Sequence, residues 1–187
     1  MRRRDLIAGL LGGGVLLGGG VVAFGDGAPL ESGETPEPND PVEVETLDAR
    51  GSEAGTLTVP DEDRLTVVTF FATTCTVCAE KHPRIATVAE SLADRPVQFV
   101  SVTTEPVGDT VPESAVVDWF ESHDGDWTLA HDPVSELTVT YDGLPYPKTA
   151  AIGPEGRVWW EHTGNADTEE IREGIEGALE RADLERA

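Results

Sequence analysis

The chain has two cysteines, Cys75 and Cys78, separated by two residues. Residues i and i+3 lie on one face of a helix, so this spacing lets one sulfur reach the other. A purely structural bond between them would close only a four-residue loop, and short loops gain little from closure. Reversible chemistry is the better use of such a pair. The thiolate is the reactive form of cysteine, and a helix N-terminus lowers its pKa through unpaired N–H groups and the helix dipole. On this reading Cys75 attacks a partner disulfide, and Cys78, one turn along and more buried, resolves the mixed disulfide. The competing reading is a pair of inert buried thiols.

The flanking residues supply the elements that such a site needs. Leu65 to Phe71, LTVVTFF, is apolar on both faces like a strand inside a sheet. Ile85, Val88, Ala89 and Leu92 then recur as one face of a helix, with Pro83 inside it and expected to kink it. Val97 to Val102 is a second apolar strand. Strand, helix and strand in that order predict a right-handed crossover and a parallel pair. Val42 to Leu47 and Gly55 to Val59 are further strands. Pro112 to Ser122 reads as a helix with Ala115, Val116, Trp119 and Phe120 on one face. Trp127 to Ala130 reads as a strand and Val134 to Tyr141 as a short helix. Thr149 to Ile152 and Arg157 to Glu161 are strands joined by Gly153-Pro154-Glu155-Gly156. A last helix starts at Asp167 with Glu170 at capping-box spacing.

Net charge and composition narrow the function. The formal charge is −23 and the pI about 4.2, and of 13 basic residues only Lys81 and Lys148 are lysines. Nucleic-acid binding needs a basic footprint and is disfavoured. The acidity resembles that of halophilic archaeal proteins. Residues 1–25 read as a signal or membrane anchor. Arg2-Arg3-Arg4 precedes twenty uncharged residues, Leu6 to Gly25, and Arg3-Arg4-Asp5-Leu6-Ile7 resembles a twin-arginine export signal. Twenty residues just span a hydrocarbon core. Residues 26–41, proline-rich and nearly devoid of large apolar groups, read as a disordered linker. Residues 42–187 are then one domain working outside the cytoplasm, where disulfides persist.

The run Phe70-Phe71-Ala72-Thr73-Thr74-Cys75-Thr76-Val77-Cys78-Ala79-Glu80-Lys81-His82-Pro83, with Pro147 to Gly156 downstream, resembles the thioredoxin superfamily. Within it, the run is similar to the membrane-tethered TlpA/ResA-like thiol-disulfide oxidoreductases. The resemblance implies an α/β, thioredoxin-like fold, a central mixed β-sheet flanked by helices on both faces. It implies a monomeric enzyme without cofactor, acting on protein thiols and disulfides and held to the membrane by its N-terminal segment. It also implies a cis peptide bond at Pro147, with Pro145 the competing choice, and a partner peptide held by Thr74, Tyr146 and Pro147. Val77 and Thr74 depart from the proline and tryptophan usual around the cysteines. Lys81 stands where the family often has glutamate, and Thr69 where cytoplasmic thioredoxins keep a buried aspartate. Glu80, Lys81 and His82 are candidates for tuning the thiolate, against the commoner outcome of helix residues facing water.

Two other classes compete. SCO-type copper proteins share the implied fold, but their cysteines are separated by three residues, against two here, and a distant histidine completes the site. A peroxiredoxin would carry threonine where Ala72 stands. Covalent haem would require histidine at position 79, and zinc more cysteines.

Overall fold

The computed structural model describes residues 37–185. The expected signal segment and most of the expected linker lie outside the described residues. The chain runs β1 (Val42–Thr46), β2 (Gly55–Val59), β3 (Leu65–Phe71), α1 (Thr76–Ser91), β4 (Val97–Thr103), α2 (Glu113–Ser122), β5 (Thr128–His131), α3 (Glu136–Thr140), β6 (Lys148–Ile152), β7 (Val158–Thr163) and α4 (Thr168–Glu185). The seven strands form one mixed sheet in the order β2-β1-β5-β4-β3-β6-β7. β3 pairs parallel with β4 and antiparallel with β6.

Every residue of β3 is buried, as a strand with neighbours on both edges and layers on both faces must be. Alternation sends Leu65 and Val67 to one face, under Ile85 and Val88 of α1 and Ile171, Ile175 and Leu179 of α4. Val68 and Phe70 go to the other, with Leu137 of α3, Tyr141, Val42 and Val44. A third cluster joins Phe71, Cys78 and Leu129 to Val116 and Phe120 of α2. Each large side chain fully buried here contributes about 1.5–3 kcal/mol, which makes the layers around β3, rather than surface ion pairs, the source of rigidity beneath the cysteines. Thr69 faces the α1 layer, where its hydroxyl meets that of Thr149 at 3.3 Å.

Helix α1 runs through Pro83 without interruption, and Leu92 closes it. Asp167 caps α4 by accepting the Glu170 N–H at 2.9 Å, the capping geometry its spacing predicts. Two readings differ from the structure. Ala115 is exposed, because α2 is narrow-faced and only Val116 and Phe120 of it are fully buried. Asn39, inside the expected linker, donates its N–H to Gly156 O at 3.0 Å. Gly156 has φ +88°, and a Cβ there would fall 2.0 Å from Asn39 O, so only glycine admits this contact. Among the described residues no helix is long and apolar enough to cross a membrane.

Candidate redox site

The site lies where β3 ends and α1 begins. Ala72 to Cys75 form a tight turn closed by Cys75 N–H to Ala72 O at 3.0 Å. Cys75 is the N-cap of α1, and its sulfur accepts the Cys78 N–H at 3.1 Å. An orphan helix donor therefore points at the first sulfur, and the first turn of α1 holds no acidic residue. Cys75 and Cys78 are joined by a disulfide with S–S 2.05 Å. They are unequally placed: Cys75 is half-buried, whereas Cys78 is 2 % exposed. The predicted order, an accessible sulfur first and a sheltered one behind it, is the order observed.

Thr74 and Val77 are exposed on either side of Cys75. Across the site stands the segment 141–147. Its register, Phe70 opposite Lys148, brings Pro147 to the end of β3. The Tyr146–Pro147 bond is cis, as expected, and so are Leu144–Pro145 and Val59–Pro60. Pro147 is buried and its carbonyl accepts the Gly164 N–H at 2.8 Å. Gly143 lies on Phe70, where a Cβ would come within 2.8 Å of the ring. Tyr146 is half-buried, and its hydroxyl meets Thr104 Oγ1 at 2.6 Å. Lys148 is buried, with its ammonium 3.0 Å from Glu161 and 3.6 Å from Asp142.

The three candidates on α1 part company. Glu80 is exposed and accepts from Asn165 Nδ2 at 3.2 Å. Lys81 and His82 do not face water as expected. They are 0 % and 1 % exposed, because α1 is flanked by α4 on one side and α2 on the other. Lys81 Nζ donates to His162 O at 3.4 Å. Burial pulls its pKa down to about 8, partly opposed by Glu170. His82 Nδ1 lies 3.0 Å from His123 O and Nε2 3.0 Å from Ser101 Oγ. A carbonyl only accepts, so Nδ1 carries the proton and Nε2 accepts from Ser101. Ser101 Oγ in turn accepts Trp127 Nε1–H at 3.1 Å. The ring stacks on Trp127 and meets Trp119 and Phe120 edge-on. Burial pushes its pKa down to about 4, so the ring is neutral at pH 7.

Sequence reasoning missed Glu105. Its carboxylate accepts the Thr73 N–H at 2.8 Å and the Thr73 hydroxyl at 2.7 Å. The strand–helix–strand order predicts the parallel pairing, but only the observed register, Phe71 opposite Thr103, brings Thr73 and Glu105, each two residues beyond its strand, side by side. Among the described residues no group of three or more His, Cys, Asp or Glu is placed to hold a metal ion.

Residues 40–179 match the redoxin family. No curated protein matches the chain by sequence. Solved structures are similar in fold. StoA from Bacillus subtilis is 18% identical with TM-score 0.58, over 73% of this chain and 98% of that one. The exposed lipoprotein thioredoxin Etrx1 of Streptococcus pneumoniae is 22% identical with TM-score 0.59, over 73% and 98%. A secreted disulfide oxidoreductase of Mycobacterium tuberculosis is 16% identical with TM-score 0.56, over 70% and 93%. The described fold is thioredoxin-like, with helices on both faces of a mixed sheet.

Proposed function

The chain belongs to the redoxin family, and from that premise we propose that it is an extracytoplasmic, TlpA/ResA-type oxidoreductase exchanging its Cys75–Cys78 couple with protein thiols and disulfides. The observation that carries this reading is the asymmetry of the pair. The accessible sulfur is also the one that receives the helix N–H. In the reducing direction, the Cys75 thiolate forms a bond to one sulfur of the partner disulfide, and the other leaves as thiolate. Cys78, losing its proton to solvent or a base, then attacks Cys75, and the second partner thiolate leaves. Two electrons pass to the partner, and the protein is left with the disulfide seen here. The oxidising direction is the same sequence reversed.

Thr74, Tyr146 and Pro147 would hold the partner's backbone beside Cys75. Val77 and Leu144, 40 % and 54 % exposed, offer apolar flanks on each side. The partner is a protein rather than nucleic acid, and the enzyme works as a monomer. Export rests on the Arg3-Arg4 motif and the apolar run behind it, which would also hold the protein to the membrane. The secreted and exposed proteins of like fold support this.

The decisive experiment is Cys75→Ser. It should abolish exchange with oxidised dithiothreitol or glutathione while the circular-dichroism spectrum is unchanged. Retained exchange would refute the assignment. Export is checked by Arg3→Lys with Arg4→Lys, which should leave the protein in the cytoplasmic fraction.

A further inference from the structure

We infer that Glu105 is a positioning residue of the redox site: its carboxylate braces the turn that presents Cys75, and its charge opposes the Cys75 thiolate. This rests on Cys75 being the nucleophile. Thr73 is the second residue of the turn Ala72–Cys75, so its N–H has no part in the turn's own hydrogen bond. Glu105 Oε2 takes that N–H at 2.8 Å, and Oε1 takes the Thr73 hydroxyl at 2.7 Å. The brace is itself held, since Thr103 Oγ1 donates to Glu105 Oε2 at 3.2 Å and accepts the Glu105 N–H at 3.2 Å. The residue between them, Thr104, is bonded to Tyr146. The segment just beyond β4 thus grips both walls of the site, the turn before Cys75 and the segment before Pro147.

Two fields oppose each other at the first sulfur. The N-terminus of α1 stabilises a thiolate, and a carboxylate bonded two residues upstream destabilises it. The titratable and charged groups on the elements packed at this end of the fold include Glu105 just beyond β4, Tyr141, Asp142 and Tyr146 from the segment before β6, Lys148 at the start of β6, Glu80, Lys81 and His82 on α1, and His123 after α2. Among the described residues, Glu105 is the one of these groups bonded to the turn itself. A reduced form made less stable is a couple made more reducing, so Glu105 biases the site toward giving electrons.

The test compares Glu105→Gln, Glu105→Ala and Thr73→Val in the full-length protein. Glu105→Gln keeps an acceptor for Thr73 and removes the charge. The Cys75 pKa, read from thiolate absorbance of the reduced protein, should fall by about 0.5–1 unit. The equilibrium with glutathione should shift about threefold toward the dithiol, or about 14 mV at 29.6 mV per tenfold. Glu105→Ala should give the same shifts and also speed amide hydrogen exchange at residues 73–75 about tenfold. Thr73→Val should speed that exchange and leave the pKa in place. An unchanged pKa and potential in Glu105→Gln overturns the inference. So does unchanged amide exchange in Glu105→Ala or, should the Glu105 variants not fold, in Thr73→Val. Amide exchange does not depend on thiol chemistry, so its failure is distinguishable from loss of Cys75 as nucleophile.

Discussion

Lys81 and His82 are consecutive in α1, equally buried, and ionisable, yet the protein treats them in opposite ways. His82 enters the layer between α1, α2 and β4, where both ring nitrogens find partners at 3.0 Å and aromatic rings surround it. Lys81 enters the layer between α1, α4 and β7, where its one hydrogen bond among the described residues is a 3.4 Å contact with His162 O. The lesson is that burial alone does not define a role. A satisfied neutral ring holds two layers together, whereas an ammonium with one long contact remains a burden on the fold and a group able to exchange a proton.

The largest effect expected from this contrast is at His82. His82→Ala should lose about 3–4 kcal/mol in urea unfolding, since it opens a cavity among aromatic rings and strands Ser101 Oγ and the His123 carbonyl. A loss below about 1 kcal/mol would put His82 on the same footing as a surface histidine and remove the contrast.

Acidification comes next. The folded pKa of about 4 lies below the ordinary 6.5, so the unfolded chain takes up the proton first. The resulting stability is present above pH 6.5 and is lost as pH falls toward 4, by about 3 kcal/mol in all. Carboxylates titrate in the lower part of that window, so the comparison is with His82→Asn, whose stability curve should lack this slope. Parallel curves for the two proteins would mean that the ring is not held neutral.

The smallest effect is at Lys81, and its sign is reversed. Lys81→Met should raise stability at pH 7 by about 1–2 kcal/mol, because a poorly paired buried charge is replaced by an apolar group of similar length. The folded pKa of about 8 lies below the ordinary 10.5. The unfolded chain therefore holds more protons between these values, and wild-type stability should rise with pH from 8 to 10.5. Lys81→Met should abolish that rise. If the methionine variant is instead less stable, the ammonium is better satisfied than its one contact indicates.

Much of this site was legible in one dimension. The two cysteines, the all-apolar run of β3 and the periodic face of α1 are local patterns, and each carries its own physical consequence within a few residues. The N-cap position of Cys75 and the capping of α4 by Asp167 follow from such short-range rules. So does the strand–helix–strand order, which already requires a parallel pair.

Glu105 and the burial of Lys81 and His82 could not be read in that way. The polar pair looks like a solvated stretch of helix, and only the packing of α4 on one flank of α1 and α2 on the other turns both side chains inward. Glu105 reaches Thr73 through the in-register pairing of β3 with β4, a contact between residues 32 apart in the chain. Short-range pattern determined which residues are reactive and which elements carry them. Tertiary structure decided what surrounds them, because hydrogen bonds, desolvation and charge act through space between segments whose separation along the chain says nothing of their distance.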